Sequence, residues 1–210
     1  MTKTSDGRLI YVLDDDDAVR DSLEAFLGHR GFRVRTYGTS ADFLAEIDRL
    51  TEHGCLLLDI RMPEMDGLEV LARVVEKNLP LAVVMITGHA DVPTAVKAMK
   101  IGAVDFIEKP FSQDVIFTAI DKAFESLSDS QSGNADASEF LVRIAALSPR
   151  ERDVMERLVD GLTNKEIARD LDISPRTVEV YRAGVMGKME ARNLSSLVKM
   201  GLAAGLGKGV

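Results

Sequence analysis

Between Leu9 and Glu125 the chain alternates two hydrophobic patterns. Short apolar runs stand at Leu9–Leu13, Phe32–Tyr37, Cys55–Asp59, Ala82–Thr87 and Asp105–Glu108. Between and after them come segments with helical spacing, Ala18–His29, Ser40–Leu50, Gly67–Glu76, Pro93–Lys100 and Ser112–Glu125. Strands that alternate with helices predict an α/β domain whose parallel sheet is covered on both faces.

The pattern then changes. Ser126–Ser138 (SLSDSQSGNADAS) is rich in Ser, Asp, Asn and Gly and nearly free of large apolar residues, which predicts a flexible linker. Beyond it there is no strand pattern. Helices are expected at Pro149–Asp160, Asn164–Leu171, Pro175–Glu190 and Ser195–Ala204, with a short one over Glu139–Ala146 leading into them. Ser148-Pro149 and Ser174-Pro175 read as N-cap and first-turn pairs, and Thr163 reads as the cap before Asn164. Glu151 and Glu166 follow their caps by three residues and complete capping boxes. The expected division is a domain over 1–125, a linker over 126–142 and an all-α domain over 143–210.

Charge separates the same two parts. The 210 residues carry a net charge of −8, which taken whole argues against a nucleic-acid partner. Residues 1–142 hold 14 Lys and Arg against 25 Asp and Glu, a net −11; residues 143–210 hold 12 against 9, a net +3. Phosphates repel the first part and attract the second, so the two have different tasks. The single cysteine, Cys55, lies in an apolar run, reads as a core thiol and permits no internal disulfide, in keeping with a reducing compartment. No stretch approaches the ~18 apolar residues of a membrane span, and the polar start Met1–Arg8 is not a signal peptide; a soluble cytoplasmic protein is expected.

Candidate chemistry gathers at one address. Asp14-Asp15-Asp16-Asp17 follows the first strand, Asp59 ends the third, Thr87 ends the fourth and Lys109 follows the fifth. All lie at the carboxyl edge of a parallel sheet. With strand order 2-1-3-4-5 the first and third strands are neighbours, and their carboxylates meet where the order reverses. An Asp run after a strand is also an ordinary helix N-terminus, and Asp16 and Asp17 are read as that. Convergent carboxylates call for a bound cation, and an oxygen-only donor set suits Mg²⁺. A carboxylate beside Mg²⁺ can take up a phosphoryl group as an acyl phosphate, with Lys109 and the Thr87 hydroxyl on the phosphoryl oxygens. The X-Pro bond Lys109-Pro110 is a candidate cis peptide.

The segments YVLDDDDAVRDSL (11–23), LLLDIRMPEMDGLEVL (56–71) and VMITGHADVPTAVKAMKIGAVDFIEKPF (84–111) resemble the receiver domain of two-component response regulators, nearest the FixJ group. The resemblance covers about residues 8–125 and implies a flavodoxin-like (βα)₅ fold phosphorylated by a sensor histidine kinase. It implies Asp59 as phosphoacceptor and Mg²⁺ held by Asp14, Asp15, Asp59 and the backbone carbonyl of Arg61. Thr87 and Phe106 match the switch pair, Phe106 lacking the hydroxyl that many relatives have there. Arg61 and His89 match positions that tune phosphorylation and hydrolysis rates. Phosphorylation is expected to favour a receiver dimer.

In the basic half, Val178, Tyr181, Val185 and Met189 fall on one face of a helix. The other face carries Arg176, Val180, Ala183 and Gly187, with Glu179 on its flank. A short helix, a tight joint and a second helix with a mixed exposed face predict a helix-turn-helix. The segment LSPRERDVMERLVDGLTNKEIARDLDISPRTVEVYRAGVMGKMEARNLSSLVKMGLAAG (147–205) is similar to the four-helix LuxR/NarL-type DNA-binding domain. That similarity implies Pro175–Glu190 as the recognition helix, with Arg176, Thr177, Glu179, Val180 and Ala183 toward the groove. It places Thr163, Asn164, Lys165, Arg182 and Lys188 toward the phosphate backbone, although Arg182 also suits an internal ion pair. Gly184 and Gly187 depart from a good helix-forming sequence, each costing about 1 kcal/mol against alanine.

The expected function is a phosphorylation-dependent transcription regulator that binds promoter DNA as a dimer. Two other classes bear comparison. Mg²⁺ phosphohydrolases also form aspartyl phosphates, but they need a second acid two residues after the nucleophile, where this chain has Arg61. A pure interaction module with an inert receiver is at odds with the intact acidic constellation.

Overall fold

The computed structural model describes residues 7–88, 91–128 and 135–207, which form two compact units. One unit is built from residues 7–88 and 101–128, the other from 91–100 and 135–207.

In the first unit a single sheet contains β1 (Leu9–Leu13), β2 (Arg33–Tyr37), β3 (Gly54–Asp59), β4 (Leu81–Thr87) and β5 (Asp105–Glu108). The strands pair in parallel in the order β2-β1-β3-β4-β5, as the sequence predicts. Central strands β1, β3 and β4 are buried at every position, which is why their runs are continuously apolar, whereas edge strand β2 is exposed at Arg33 and Arg35.

Helices α1 (Asp17–His29), α2 (Ser40–Glu46), α3 (Gly67–Glu76), α4 (Val92–Ile101) and α5 (Gln113–Ser128) occupy the predicted stretches. Their starts follow local chemistry. Asp16 caps α1 by accepting from the Ala18 and Val19 amides, Thr39 caps α2, and Asp66 caps α3 by accepting from Leu68. The expected second helix is shorter than its pattern and ends in a 3₁₀ turn over Ile47–Arg49. Leu23 and Leu27 of α1 and Ile116, Ala119, Ile120 and Ala123 of α5 pack with Ile10, Val12, Cys55, Leu57, Val84 and Ile86. Cys55 is fully buried, and its thiol pKa is pushed up by burial.

The second unit contains, besides α4, the helices α6 (Ala135–Ala145), α7 (Pro149–Val159), α8 (Asn164–Asp170), α9 (Pro175–Lys188) and α10 (Leu194–Ala203). Their core joins Ile144, Leu147, Val154, Met155, Leu158, Val159, Ile167, Val178, Val185, Met189 and Leu197. Both capping boxes form, Ser148 with Glu151 and Thr163 with Glu166.

Composition predicts a flexible linker and leaves its conformation open; α5 runs on to Ser128 and α6 begins at Ala135. Residues 129–134 lie outside the described residues. Helix α6 is anchored by packing that composition does not register: Ile144 and Leu147 are 3% and 8% exposed. The Arg143 guanidinium also donates to the Met189 carbonyl at 2.8 Å.

Candidate functional site

Asp14 leaves β1 and Asp59 ends β3, beside each other where the strand order reverses. Both are nearly closed off from solvent, at 2% and 5% exposure. Lys109 follows β5, and its backbone amide donates to the Thr87 carbonyl at 2.7 Å, extending the ladder past the strand end. That brings the ammonium between the two carboxylates, 2.5 Å from Asp14 Oδ2 and 2.7 Å from Asp59 Oδ1. Residues 95 and 50 positions apart in the chain thus form one cluster. The Lys109-Pro110 peptide is cis.

The remaining oxygens are also held. Asp14 Oδ1 accepts from the Asp16 amide at 3.0 Å, and Asp59 Oδ2 accepts from the Arg61 amide at 2.6 Å. Burial raises the Asp59 carboxyl above the usual carboxylate range, and the bond from Lys109 only partly opposes it. Burial also works against the Lys109 charge, but the bonds to Asp14 and Asp59 outweigh it and the net shift is upward. Lys109 is therefore cationic at neutral pH.

The three carboxylates are not gathered as the sequence predicts. Asp14 and Asp59 meet through Lys109, whereas Asp15 is exposed and lines an open depression with Ile60, Arg61, Met62, Pro63 and Asp66. Among the described residues no group of three or more acids, histidines or cysteines is arranged as a metal nest. Two buried carboxylates need a counter-charge at close range, and here the lysine supplies it. Carboxylate oxygens are nonetheless the donor type a hard cation takes, and Asp14, Asp15 and Asp59 supply them.

Thr87 ends β4 at 1% exposure, and Phe106 is half-buried on β5, paired with Met85. Asp16 and Asp17 serve α1 as expected. His89 lies outside the described residues.

Two supporting residues escape a reading by motif. A side chain at Gly67 would place its Cβ 2.1 Å from the Asp59 carbonyl and 2.9 Å from Ile60 Cα, so only glycine lets the chain after Asp59 fold back onto α3. Arg20 holds the β1–α1 turn, donating to the Asp14 carbonyl at 2.6 Å and pairing with Asp17. Gly67 directly follows the Asp66 cap and Arg20 lies in the first turn of α1; neither position announces the contact it makes.

In the second unit, α8 ends at Asp170 with Leu171 as its C-cap, and Asp172 takes a left-handed conformation with φ 54°. The Ile173 amide returns to the Ala168 carbonyl at 2.9 Å, and Ser174 caps α9. This is the tight joint of the predicted helix-turn-helix. Val178, Val185 and Met189 are fully buried and Tyr181 packs beside them. Arg176, Glu179, Val180, Ala183 and Gly187 are exposed, Val180 at 67%. Thr177 is half-buried beside the Ser174 cap, and Lys165 is exposed on α8. Thr163 is occupied by its capping box, and Arg182 donates to Asn164 Oδ1 at 3.4 Å. Lys188 reaches not outward but to Glu151 Oε2, at 2.6 Å.

Comparison with known proteins follows the same division. Residues 10–121 match the response regulator receiver domain, and residues 145–201 match the bacterial regulatory proteins of the luxR family. The chain is 49% identical over 197 residues to the transcriptional regulatory protein FixJ of Bradyrhizobium diazoefficiens, covering 94% of this chain and 96% of that protein. It is 50% identical over 201 residues to FixJ of Azorhizobium caulinodans, covering 94% and 93%. Among solved structures, full-length FixJ from B. japonicum aligns with a TM-score of 0.57 at 48% identity, covering 95% of this chain and 98% of that one.

Proposed function

Because the chain belongs to the response-regulator family with a LuxR-type DNA-binding domain, and so is a phosphorylation-dependent transcription regulator, we propose that Asp59 is its phosphoacceptor. The observation that carries this reading is the Lys109 ammonium bonded to both Asp14 and Asp59 at the sheet's carboxyl edge. A sensor histidine kinase is the donor. An Asp59 carboxylate oxygen attacks phosphorus, the phosphorus–nitrogen bond of the phosphohistidine breaks, and its electron pair stays on the imidazole, which takes a proton. Lys109 balances the new charge, and the Thr87 hydroxyl donates to a phosphoryl oxygen. Asp14, Asp15, Asp59 and the Arg61 carbonyl are the groups that would hold Mg²⁺, which draws charge from the phosphoryl oxygens when bound. The chain is no classical enzyme; its chemistry is confined to gaining and losing its own phosphoryl group.

The reading extends to the switch and to DNA. Thr87 moves toward the phosphoryl oxygens, Phe106 turns into the space it leaves, and the altered surface favours a receiver dimer. A domain over 1–125 thereby controls a DNA-binding domain over 143–210 through the segment between them. Helix α9 enters the major groove, where Arg176, Thr177, Glu179, Val180 and Ala183 face base edges; Val180 suits a thymine methyl and Glu179 a cytosine amino group. Thr163, Asn164, Lys165 and Arg182 face phosphates. Lys188, expected among them, is bonded to Glu151 instead. A dimer reads two half-sites about one helical turn apart or a multiple of it.

Light scattering with Mg²⁺ and beryllofluoride or acetyl phosphate tests this. The wild type should shift from monomer to dimer, and Asp59→Asn should take up no phosphoryl group by intact mass and should not shift. A mutant that still dimerises under those conditions overturns the assignment.

A further inference from the structure

Glu151 is 8% exposed, although it sits in the first turn of α7. Its Oε2 accepts from the Ser148 amide at 2.7 Å and from Lys188 Nζ at 2.6 Å. Its other oxygen rests against α9: a Cβ at Gly184 would stand 2.7 Å from Oε1. The carboxylate therefore seats on bare helix backbone one turn before the lysine it holds. Arg143 of α6 holds the same end of α9, through the Met189 carbonyl at 2.8 Å and Glu190 at 3.1 Å. The last turn of α9 is thus gripped by charged side chains from two other helices.

We propose that Glu151 is a positioning residue of the recognition helix, and that it withholds the Lys188 ammonium from DNA phosphates. The proposal rests on reading α9 as the helix that enters the groove. The pair is lopsided, with the Glu151 side chain 11% exposed and that of Lys188 44%. For Lys188 to turn to a phosphate it must leave a buried carboxylate unpaired, which is the costly way to break an ion pair. Lys165, exposed on α8, bears no such constraint. Gly184 is part of the same device, since any side chain there displaces the carboxylate.

The test is the salt dependence of DNA binding by the full chain with Mg²⁺ and beryllofluoride. The probe is a fluorescent mixed-sequence duplex about three helical turns long, titrated at several KCl concentrations. Each phosphate contact adds about 0.9 to the slope of log K against log salt. Lys165→Met should lower the slope by about that amount and Lys188→Met should leave it unchanged. Glu151→Gln, which keeps size and an acceptor but loses charge, should free the ammonium and steepen the slope by about 0.9, and Glu151→Gln with Lys188→Met should restore it. A slope lowered in Lys188→Met to the same extent as in Lys165→Met overturns the proposal, as does an unchanged slope in a folded Glu151→Gln. If Glu151→Gln fails to fold by circular dichroism, the two lysine variants still decide. A wild type that does not bind the duplex even at low salt overturns the DNA-binding reading itself, and the proposal with it.

Discussion

Gly67 carries no side chain because the Asp59 carbonyl stands where one would go. The obstructing atoms are backbone, so relief requires movement of the segment that carries Asp59 itself. Gly67→Ala should cost about 1–3 kcal/mol of stability, as overpacking does. It should also slow acetyl-phosphate labelling of Asp59 at least tenfold, read by intact mass; a wild-type labelling rate would mean the turn adapts without disturbing the acceptor. Glu151 offers a residue-scale test by pH. Its bond from Lys188, then those from Ser148, hold its carboxyl at about 2 against the ordinary 4.5. A depressed folded-state pKa stabilises above the unfolded value and that stability is lost as pH falls through the folded one. The wild type should therefore melt above Glu151→Gln at pH 6. The gap should close progressively between about pH 4.5 and 2 in thermal melts followed by circular dichroism. A gap independent of pH would show that the charge of Glu151 does not contribute.

At the scale of one element, α9 holds two glycines that propensity treats alike and packing does not. Gly187 has nothing within 4 Å of a built Cβ, whereas at Gly184 the Glu151 carboxylate stands at 2.7 Å. Gly187→Ala should stabilise the chain by up to about 1 kcal/mol, the plain gain in helix propensity. Gly184→Ala should destabilise it despite the same gain, because Glu151 must be pushed out of its seat. Urea melts of the two variants decide this; two stabilised variants would mean the carboxylate moves freely. The buried face of α9 works the other way round. Val178, Val185 and Met189 are fully enclosed, while Val180 is 67% exposed. Val180→Ala should therefore leave stability within about 0.5 kcal/mol while weakening binding to sites with a thymine at the contacted step.

At the scale of the whole molecule, the charge imbalance is a property of the chain and not of any one site. The acidic first part and the basic second part place opposite demands on DNA approach, so added salt both screens the repulsion and weakens the phosphate contacts. Phosphorylation adds further negative charge to the first part. A gain in DNA affinity on activation therefore has to come from dimerisation or rearrangement, not from the net charge. Comparing the affinity of wild type and Asp59→Asn under beryllofluoride at fixed salt measures that gain; equal affinities would sever DNA binding from the receiver's state.

Much was legible from sequence because it is written locally. Apolar runs set the strands, since a parallel strand covered on both faces has no alternative to continuous hydrophobicity. Capping residues set where α1, α7, α8 and α9 begin, since a cap bonds to amides only two or three residues away. Asp59, Asp14 and Lys109 were legible as a group because strand ends in a parallel sheet share one edge. What lay beyond reach depended on atoms distant in sequence. Lys109, not a third carboxylate, lies between Asp14 and Asp59, since the balance of buried charge is decided only when the strands pair. The helical ends of the expected linker follow from packing, α5 through Leu127 against the sheet's core and α6 through Ile144 against the second unit's core. Gly184 is explained by a carboxylate 33 residues earlier in the chain, and Gly67 by the backbone of the residue it must fold against. Local bonding chemistry is carried by neighbours along the chain, whereas steric exclusion and charge pairing are carried by neighbours in space.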